Sequence, residues 1–397
     1  MTEFYMETYG CSRRYLDAER INSYFVSNGL KRTMSPLTAD YLIVVSCGLT
    51  RDKEDAVMDA VIRLKRFKGR MLVYGCMPAM NAERIGAVYS GDTLATKNID
   101  NIDDFFPEFS NKFKDMGDAN EIITVFPDQS WRGVRKKYLS NPLKKFISFF
   151  IAQPHENEGL PGGIGFDERI FTLRVSEGCL GSCSYCNIRK AIGTIKSKPV
   201  QKLLEELDRY PLNMRLEINL ISSDAGAYGL DIGSSFPELL SAVLNKNDGI
   251  VIKFIQDLHP YWICKYSEQL IELLSTRRIK SILTAVQSGN PRILKLMKRW
   301  VDLGRFAEII GRMKNIYPDL KLRTQVIAGF PSETEQEFQD TIEYVNHCGF
   351  DEVDIFAYYE TDGTDSAGIK PDIPRKIVLE RVNRMRRSIR ARKRISI

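Results

Sequence analysis

The chain has 397 residues, 43% hydrophobic and 27% charged, and a formal net charge of +6. That length accommodates two or three domains with full cores, and the composition excludes a disordered or fibrous protein. No stretch approaches the roughly 20 consecutive apolar residues of a membrane span, Glu3 and Glu7 do not read as a signal peptide, and eight cysteines are too few for a disulfide scaffold. A cytoplasmic protein that uses its cysteines for metal is therefore expected. The modest positive charge hints at an anionic partner without requiring one.

Residues 3–11 read as a strand running into a turn at Gly10, followed by an amphipathic helix with Leu16, Ile21, Tyr24 and Phe25 on one face and Gly29 as its stop. The unit then repeats. The apolar run 40–46 ends in Cys47, and Thr50 is placed to cap a helix reaching about Phe67. A third strand, from Arg70, ends in Cys76. Strands joined by helical crossovers form a parallel sheet whose carboxyl-edge loops converge on one crevice. Cys11, Cys47 and Cys76 are therefore expected to meet despite their separation in sequence. Three thiolates there suit an iron–sulfur cluster with one open iron; the plainer alternative is three small core cysteines.

Residues from about 101 to 167 form a connecting region with weak periodicity, made basic by Arg132, Arg135, Lys136, Lys137, Lys144 and Lys145. Phe146, Phe149 and Phe150 are expected to pack against a neighbour, and the Pro- and Gly-rich loop ends near Gly165. From Ile170 strand and helix alternate six times, with strands at about 170–176, 215–222, 250–257, 281–288, 321–328 and 352–359. This pattern predicts an incomplete (β/α)6 barrel whose working face is the carboxyl ends of its strands. The fold class is thus α/β: a Rossmann-like parallel sheet domain over 1–125, a linker over 126–166, a partial barrel over 167–365 and a basic helical tail over 366–397.

Just after the first barrel strand come Cys179, Cys183 and Cys186, in a C-x3-C-x2-C arrangement with glycines that let the loop wrap closely. Structural zinc takes four ligands, and no fourth cysteine or histidine lies nearby; a [4Fe–4S] cluster on three thiolates keeps one iron open for a ligand. The tail, with Arg381, Arg384, Arg386, Arg387, Arg390, Arg392, Lys393 and Arg394, suits RNA phosphates or an acidic peptide, or is simply a solvated helix end. Ser332 with Glu335 reads as a capping box. Cys264, Cys348 and the three histidines join no constellation and read as core or surface.

C-x3-C-x2-C after a strand, with Tyr185 before the third cysteine, resembles the signature of the radical S-adenosylmethionine (SAM) superfamily. Together with the first triplet it resembles the methylthiotransferase branch over nearly the whole chain. The words that carry this are Thr8-Tyr9-Gly10-Cys11, Asp17-Ala18-Glu19-Arg20-Ile21, Gly75-Cys76-Met77, Ser176-Glu177-Gly178-Cys179, Asp224-Ala225-Gly226-Ala227-Tyr228-Gly229-Leu230-Asp231, Gln287-Ser288-Gly289, and the run from Arg323 to Thr334. The resemblance implies two [4Fe–4S] clusters, SAM, and an external electron donor such as flavodoxin or ferredoxin. It assigns SAM cleavage to the cluster on Cys179, Cys183 and Cys186, and sulfur delivery to an auxiliary cluster on Cys11, Cys47 and Cys76 facing the same cavity. A second SAM methylates the sulfur, and a carbon radical on the substrate collects the methylthio group. The backbone at Ile188 is similar to the family's adenine contact. Asp224, Gln287 and Arg323, expected to end strands on the working face, are candidates for the ribose, amine or carboxylate of SAM.

The chain departs from the family pattern at Ser12-Arg13-Arg14 and Val45-Ser46-Cys47, where asparagines are usual, and no room is expected after the barrel for the small RNA-associated TRAM domain. The favoured acceptor is consequently a ribosomally made peptide or a protein side chain, with tRNA as the alternative, its contacts then made by the basic linker and tail. Two other classes compete. A cobalamin-binding radical enzyme finds no histidine in the front domain to ligate cobalt, and a non-catalytic protein with structural clusters is argued against by the open irons.

Overall fold

The computed structural model describes residues 1–117, 171–208, 216–361 and 363–391, with the backbone of 393–396. The chain divides into two compact units, Met1–Glu168 with Lys190–Ile192, and Arg169–Arg189 with Gly193–Ile397. The expected linker, with its basic residues and Phe146, Phe149 and Phe150, lies outside the described residues.

In the first unit five strands, β1 (Glu3–Thr8), β2 (Lys31–Arg32), β3 (Tyr41–Ser46), β4 (Arg70–Gly75) and β5 (Asp92–Ala95), form a parallel sheet in the order β2-β1-β3-β4-β5. Alternate side chains of each strand point to opposite faces. Phe4, Met6, Ile43, Val45, Leu72 and Tyr74 pack with Ile21, Tyr24 and Phe25 of the helix Ser12–Ser27 and with Phe106, Phe109 and Phe113. Tyr5, Leu42, Val44, Met71 and Val73 pack with Val57, Val61 and Leu64 of the helix Arg51–Leu64. A sheet apolar on both faces explains why β3 reads as an unbroken apolar run rather than an alternating one.

In the second unit β6 (Phe171–Arg174), β9 (Leu216–Ile221), β10 (Ile250–Ile255), β11 (Ser281–Leu283), β12 (Lys321–Ala328), β13 (Glu352–Ala357) and β14 (Lys393–Ser396) form one parallel sheet, in the order β14-β13-β12-β11-β10-β9-β6. The short antiparallel pair β7 (Ser176–Glu177) and β8 (Lys196–Ser197) brackets the cysteine loop. The six predicted strands are present, and the sheet carries a seventh. The segment 366–397, expected as a helical tail, is helical over Arg375–Ser388 and then pairs β14 with β13. A short run rich in Lys and Arg reads as solvated in isolation; an edge strand needs only one paired side and tolerates such residues.

Two further expectations are corrected. The helix Glu335–Cys348 is capped by Thr334 with Glu337, each side chain meeting the other's backbone N–H, not by Ser332 with Glu335. Ser332 has φ +64, outside the extended conformation an N-cap residue adopts. Arg323 does not end its strand. It is the third residue of β12, level with Glu352 at the start of β13, so it lies toward the amino edge. No helix among the described residues is long and apolar enough to cross a membrane.

Candidate metal centres

In the first unit β1, β3 and β4 are adjacent, and their registers align Thr8 with Val45 and Ser46 with Gly75. Tyr9 N–H donates to Val45 O at 2.8 Å and Cys76 N–H to Ser46 O at 3.3 Å, so the ladder continues to the residues that carry the thiols. With strands about 4.8 Å apart, three neighbouring strand ends gather their residues across about 10 Å. Cys47 is buried, and Cys11 and Cys76 are half-buried. Gly75 makes the last step feasible. It has φ +125, and a Cβ there would stand 2.4 Å from the Ser46 carbonyl oxygen.

The three thiols act on one another electrostatically. Burial, with Cys76 and Cys11 alongside, pushes Cys47 up to about 12. Burial likewise raises Cys76, partly opposed by the charge of Arg14. Burial also acts to raise Cys11, but Arg13 and Arg14, by charge and by their backbone N–H groups, outweigh it and bring the thiol below its ordinary value. Cys11 is the residue at the mouth of the helix Ser12–Ser27, where the backbone N–H groups of Arg13 and Arg14 favour a thiolate.

In the second unit all three cysteines lie on the loop between β7 and β8, and contacts from the end of the helix Pro291–Leu296 and from the turn Asp365–Gly368 pin it. Gly178 has φ +79 and passes so close to Thr194 that a Cβ would stand 1.9 Å from the Thr194 carbonyl oxygen. Ser184 N–H donates to Met297 O at 3.0 Å, Ser184 Oγ to Leu296 O at 2.7 Å, and Ser366 N–H to Ser184 O at 2.9 Å. Gly181 N–H donates to Cys179 Sγ at 3.2 Å, and Arg299 Nη1 to Cys183 Sγ at 3.4 Å. Burial raises the Cys179 thiol, aided by Asp224, and raises Cys186 to about 11 with help from Cys183.

Both donor sets fit an anionic cluster held by thiolates. Each presents three thiols, on neighbouring strand ends or on one loop, with N–H, hydroxyl or guanidinium donors aimed at or beside sulfur, the hydrogen bonding that thiolate ligands use. Among the described residues no three Cys, His, Asp or Glu side chains are gathered tightly enough to chelate a single ion. A cluster differs from a single ion in taking its thiolates on separate irons. Thiols bind iron as thiolates, so loading must release the protons that burial holds on Cys47 and Cys76 in one site and on Cys179 and Cys186 in the other.

Of the residues singled out for SAM, Asp224 follows β9 and is buried; its Oδ1 accepts from Trp262 Nε1 at 2.8 Å and its Oδ2 from Leu180 N–H at 3.3 Å and the Cys179 thiol at 3.7 Å. Its carboxyl is raised, first by burial, and its present contacts support the cysteine loop. Gln287 is bridged to Val326 at φ +69, and its buried Oε1 has no partner. Ile188 follows Cys186 closely and turns its N–H toward that thiol. Arg323 stands apart, paired with the buried Asp354 at 2.7 Å. Sequence reasoning missed Arg14, Thr96, Ser184, Trp262 and Arg299. Their deciding partners lie far along the chain, and Arg299 stands in a basic pair, Lys298-Arg299, that gives no sign of a bond to Cys183.

Residues 173–345 match the model described as the radical SAM superfamily, and residues 3–95 that of uncharacterized protein family UPF0004. The probable threonylcarbamoyladenosine tRNA methylthiotransferase of Pyrococcus horikoshii is 28% identical over 386 residues, covering 96% of this chain and 82% of the relative. The ribosomal protein uS12 methylthiotransferase RimO of an Anaeromyxobacter species is 28% identical over 381 residues, covering 94% and 74%. Among solved structures the radical SAM methyltransferase TsrM from Kitasatospora setae, bound to cobalamin and a [4Fe–4S] cluster, aligns with TM-score 0.60 at 10% identity. It covers 92% of this chain and 77% of its own, a likeness of fold alone.

Proposed function

This chain belongs to the radical SAM methylthiotransferase family, and from that premise we propose that it replaces a C–H bond by C–S–CH3 on a ribosomally made peptide or protein side chain. The radical SAM domain brings with it SAM and one [4Fe–4S] cluster, and the enzyme is a transferase. In this reading Cys179, Cys183 and Cys186 hold that cluster, and Cys11, Cys47 and Cys76 hold a second. When bound, the first supplies the electron that cleaves SAM and the second the sulfur. Asp224 and Arg299 keep the cysteine loop in shape, Gln287 offers SAM a free acceptor, and the Ile188 backbone faces the adenine. Arg323, already bound to Asp354, is withdrawn from that set. An external flavodoxin or ferredoxin as donor, and a cytoplasmic setting, belong to the same proposal.

Two centres are supported by where the cysteines fall in the chain: Cys11, Cys47 and Cys76 follow the ends of the neighbouring strands β1, β3 and β4, and Cys179, Cys183 and Cys186 share the loop between β7 and β8. The peptide acceptor is supported by the state of the basic tail. Arg381 is buried against Glu333 at 2.8 Å, Arg384 pairs with Glu335, and β14 is built into the sheet, so these cations brace the fold. A tRNA acceptor is the second reading, favoured by the exposed Arg386, Arg387 and Arg390 on the same segment. Mass spectrometry of tRNA digests and of cellular peptides, with and without the enzyme, tests both. Gain of SCH3 in place of hydrogen on a peptide supports the first reading. The gain on a nucleoside, with tight salt-sensitive binding of that tRNA, overturns it.

A further inference from the structure

Arg14 is 3% exposed, so its charge is held away from water. Its Nη1 donates to the Tyr74 hydroxyl at 3.1 Å and to Thr96 Oγ1 at 2.5 Å, and stands 2.7 Å from Asp17 Oδ2. The Tyr74 hydroxyl donates to the same Asp17 oxygen at 2.6 Å. Thr96 Oγ1 lies 3.9 Å from Cys76 Sγ. Since Arg14 occupies an acceptor position of the threonine oxygen, the hydroxyl proton is left for the sulfur, and a metal-bound thiolate can only accept it. The result is a polarised path from guanidinium through hydroxyl to thiolate.

Asp17 makes the pair neutral as a whole and offsets the cost of burying the cation. The two charges do not act equally on the thiols. It is the Arg14 guanidinium that Thr96 Oγ1 links to Cys76, while Asp17 is engaged by Arg14 and the Tyr74 hydroxyl. A cation and a hydroxyl donor placed beside sulfur stabilise the more negative, reduced form of a cluster, since net charge and hydrogen bonds to sulfur set its potential.

We propose that Arg14 is a positioning residue of the N-terminal centre, acting through Thr96 on Cys76 to hold that ligand in place and to raise the reduction potential of the cluster it binds. The inference rests on the assignment of Cys11, Cys47 and Cys76 to a second cluster. A purely structural clamp would join the helix Ser12–Ser27 to β4 and β5 equally well but would leave the potential unmoved.

The test uses the full chain carrying Cys179→Ala, Cys183→Ala and Cys186→Ala, reconstituted anaerobically with iron and sulfide, so that only the N-terminal centre is observed. A redox titration followed by electron paramagnetic resonance reads its midpoint. Arg14→Gln is expected to reduce the reduced-to-oxidised ratio at fixed poise about tenfold, equivalent to about 59 mV for one electron. Thr96→Val is expected to shift it the same way by less, and Arg14→Lys, which keeps the charge, to recover more than half of the loss. Unmoved midpoints in Arg14→Gln and Thr96→Val, with full iron content, overturn the inference alone. If Arg14→Gln fails to fold or to hold iron, Thr96→Val decides: a lowered midpoint supports the proposal and an unmoved one overturns it. If the parent assembles no cluster, the site assignment falls and the inference with it.

Discussion

The two cysteine triplets are assembled by opposite routes. In the second unit three cysteines within eight positions sit on one loop, and the sequence alone brings them close. In the first unit they follow three strand ends, which are neighbours because β1, β3 and β4 lie side by side in the sheet. A site of the first kind is encoded locally but needs props from elsewhere: Asp224, Leu296, Met297, Arg299 and Ser366 all touch the loop. A site of the second kind needs few props, because the β ladder itself is the support. Each has nonetheless acquired a buried guanidinium, Arg299 bonded to Cys183 directly and Arg14 linked to Cys76 through Thr96. Where the thiols are placed differs between the units; what surrounds them converges.

The sharpest way to break this comparison is to remove one thiol from each triplet. Cys183→Ala is expected to abolish 5′-deoxyadenosine formation from SAM altogether. Cys76→Ala is expected to preserve that cleavage while abolishing the gain of SCH3 on substrate. Chromatography of 5′-deoxyadenosine beside mass spectrometry of the acceptor reads both. Loss of both activities on replacing Cys76 would mean that the division of labour between the triplets is wrongly assigned.

Next in size are the two glycines that let the backbone pass. Gly178→Ala and Gly75→Ala each force a side chain into a positive-φ position, costing about 1–3 kcal/mol before the clash with a fixed carbonyl oxygen is added. Gly178→Ala is expected to empty the second unit's site and leave about half of the reconstituted iron. Gly75→Ala is expected to remove the other half and to spare 5′-deoxyadenosine formation. Because the first site is made by the sheet, Gly75→Ala should also lower the denaturant midpoint of its unit, whereas Gly178→Ala should disturb mainly its loop.

Much of this architecture was legible because local signals and topology agree. An apolar run that ends in a cysteine, followed by a helix, places the thiol at a carboxyl edge whatever the neighbours are, so Cys47 and Cys76 could be located from pattern alone. That consecutive strands such as β3 and β4 lie side by side is the usual outcome for helical crossovers. Failures came where the deciding partner is distant. Arg323 belongs to an eight-residue strand whose start is fixed by pairing with β11 and β13, and nothing near it signals which end it occupies. The cap at Thr334 depends on backbone angles that put Ser332 in the left-handed region. β14 exists only because β13 offers an edge. Arg14 looks like a surface helix residue until Tyr74 and Thr96 close over it.

A smaller effect separates the units by pH. Burial lifts the Glu333 carboxyl to about 7, although Gly329 N–H and Arg381 oppose it. Between about pH 4.5 and 7 the folded barrel therefore binds more protons than the unfolded chain, so its stability is highest below about 4.5 and falls as pH rises through 7, by about 3 kcal/mol over the whole range. Glu337 works in the other direction. Its bond to Arg292 holds it at about 2, so its contribution is present above its ordinary value and lost on acidification. Urea unfolding of the metal-free chain across this range is expected to show the fall, and Glu333→Gln to flatten it. A slope that survives the substitution would assign it to another group.

The smallest effect is the most informative about the loop. Ser184 is buried and fixed by three bonds, of which only one, Oγ to Leu296 O, uses its side chain. If backbone pins hold the cysteine loop, Ser184→Ala removes a single neutral hydrogen bond, worth about 1 kcal/mol, and leaves Met297 and Ser366 in place. Iron content and 5′-deoxyadenosine formation are then expected to stay within a factor of two of the parent, with a slightly lower denaturant midpoint. Should this one hydroxyl prove necessary for loading, the loop would depend on a single side chain in a way the strand-borne triplet does not. The contrast between the two sites would then lie in their robustness as well as in how they are assembled.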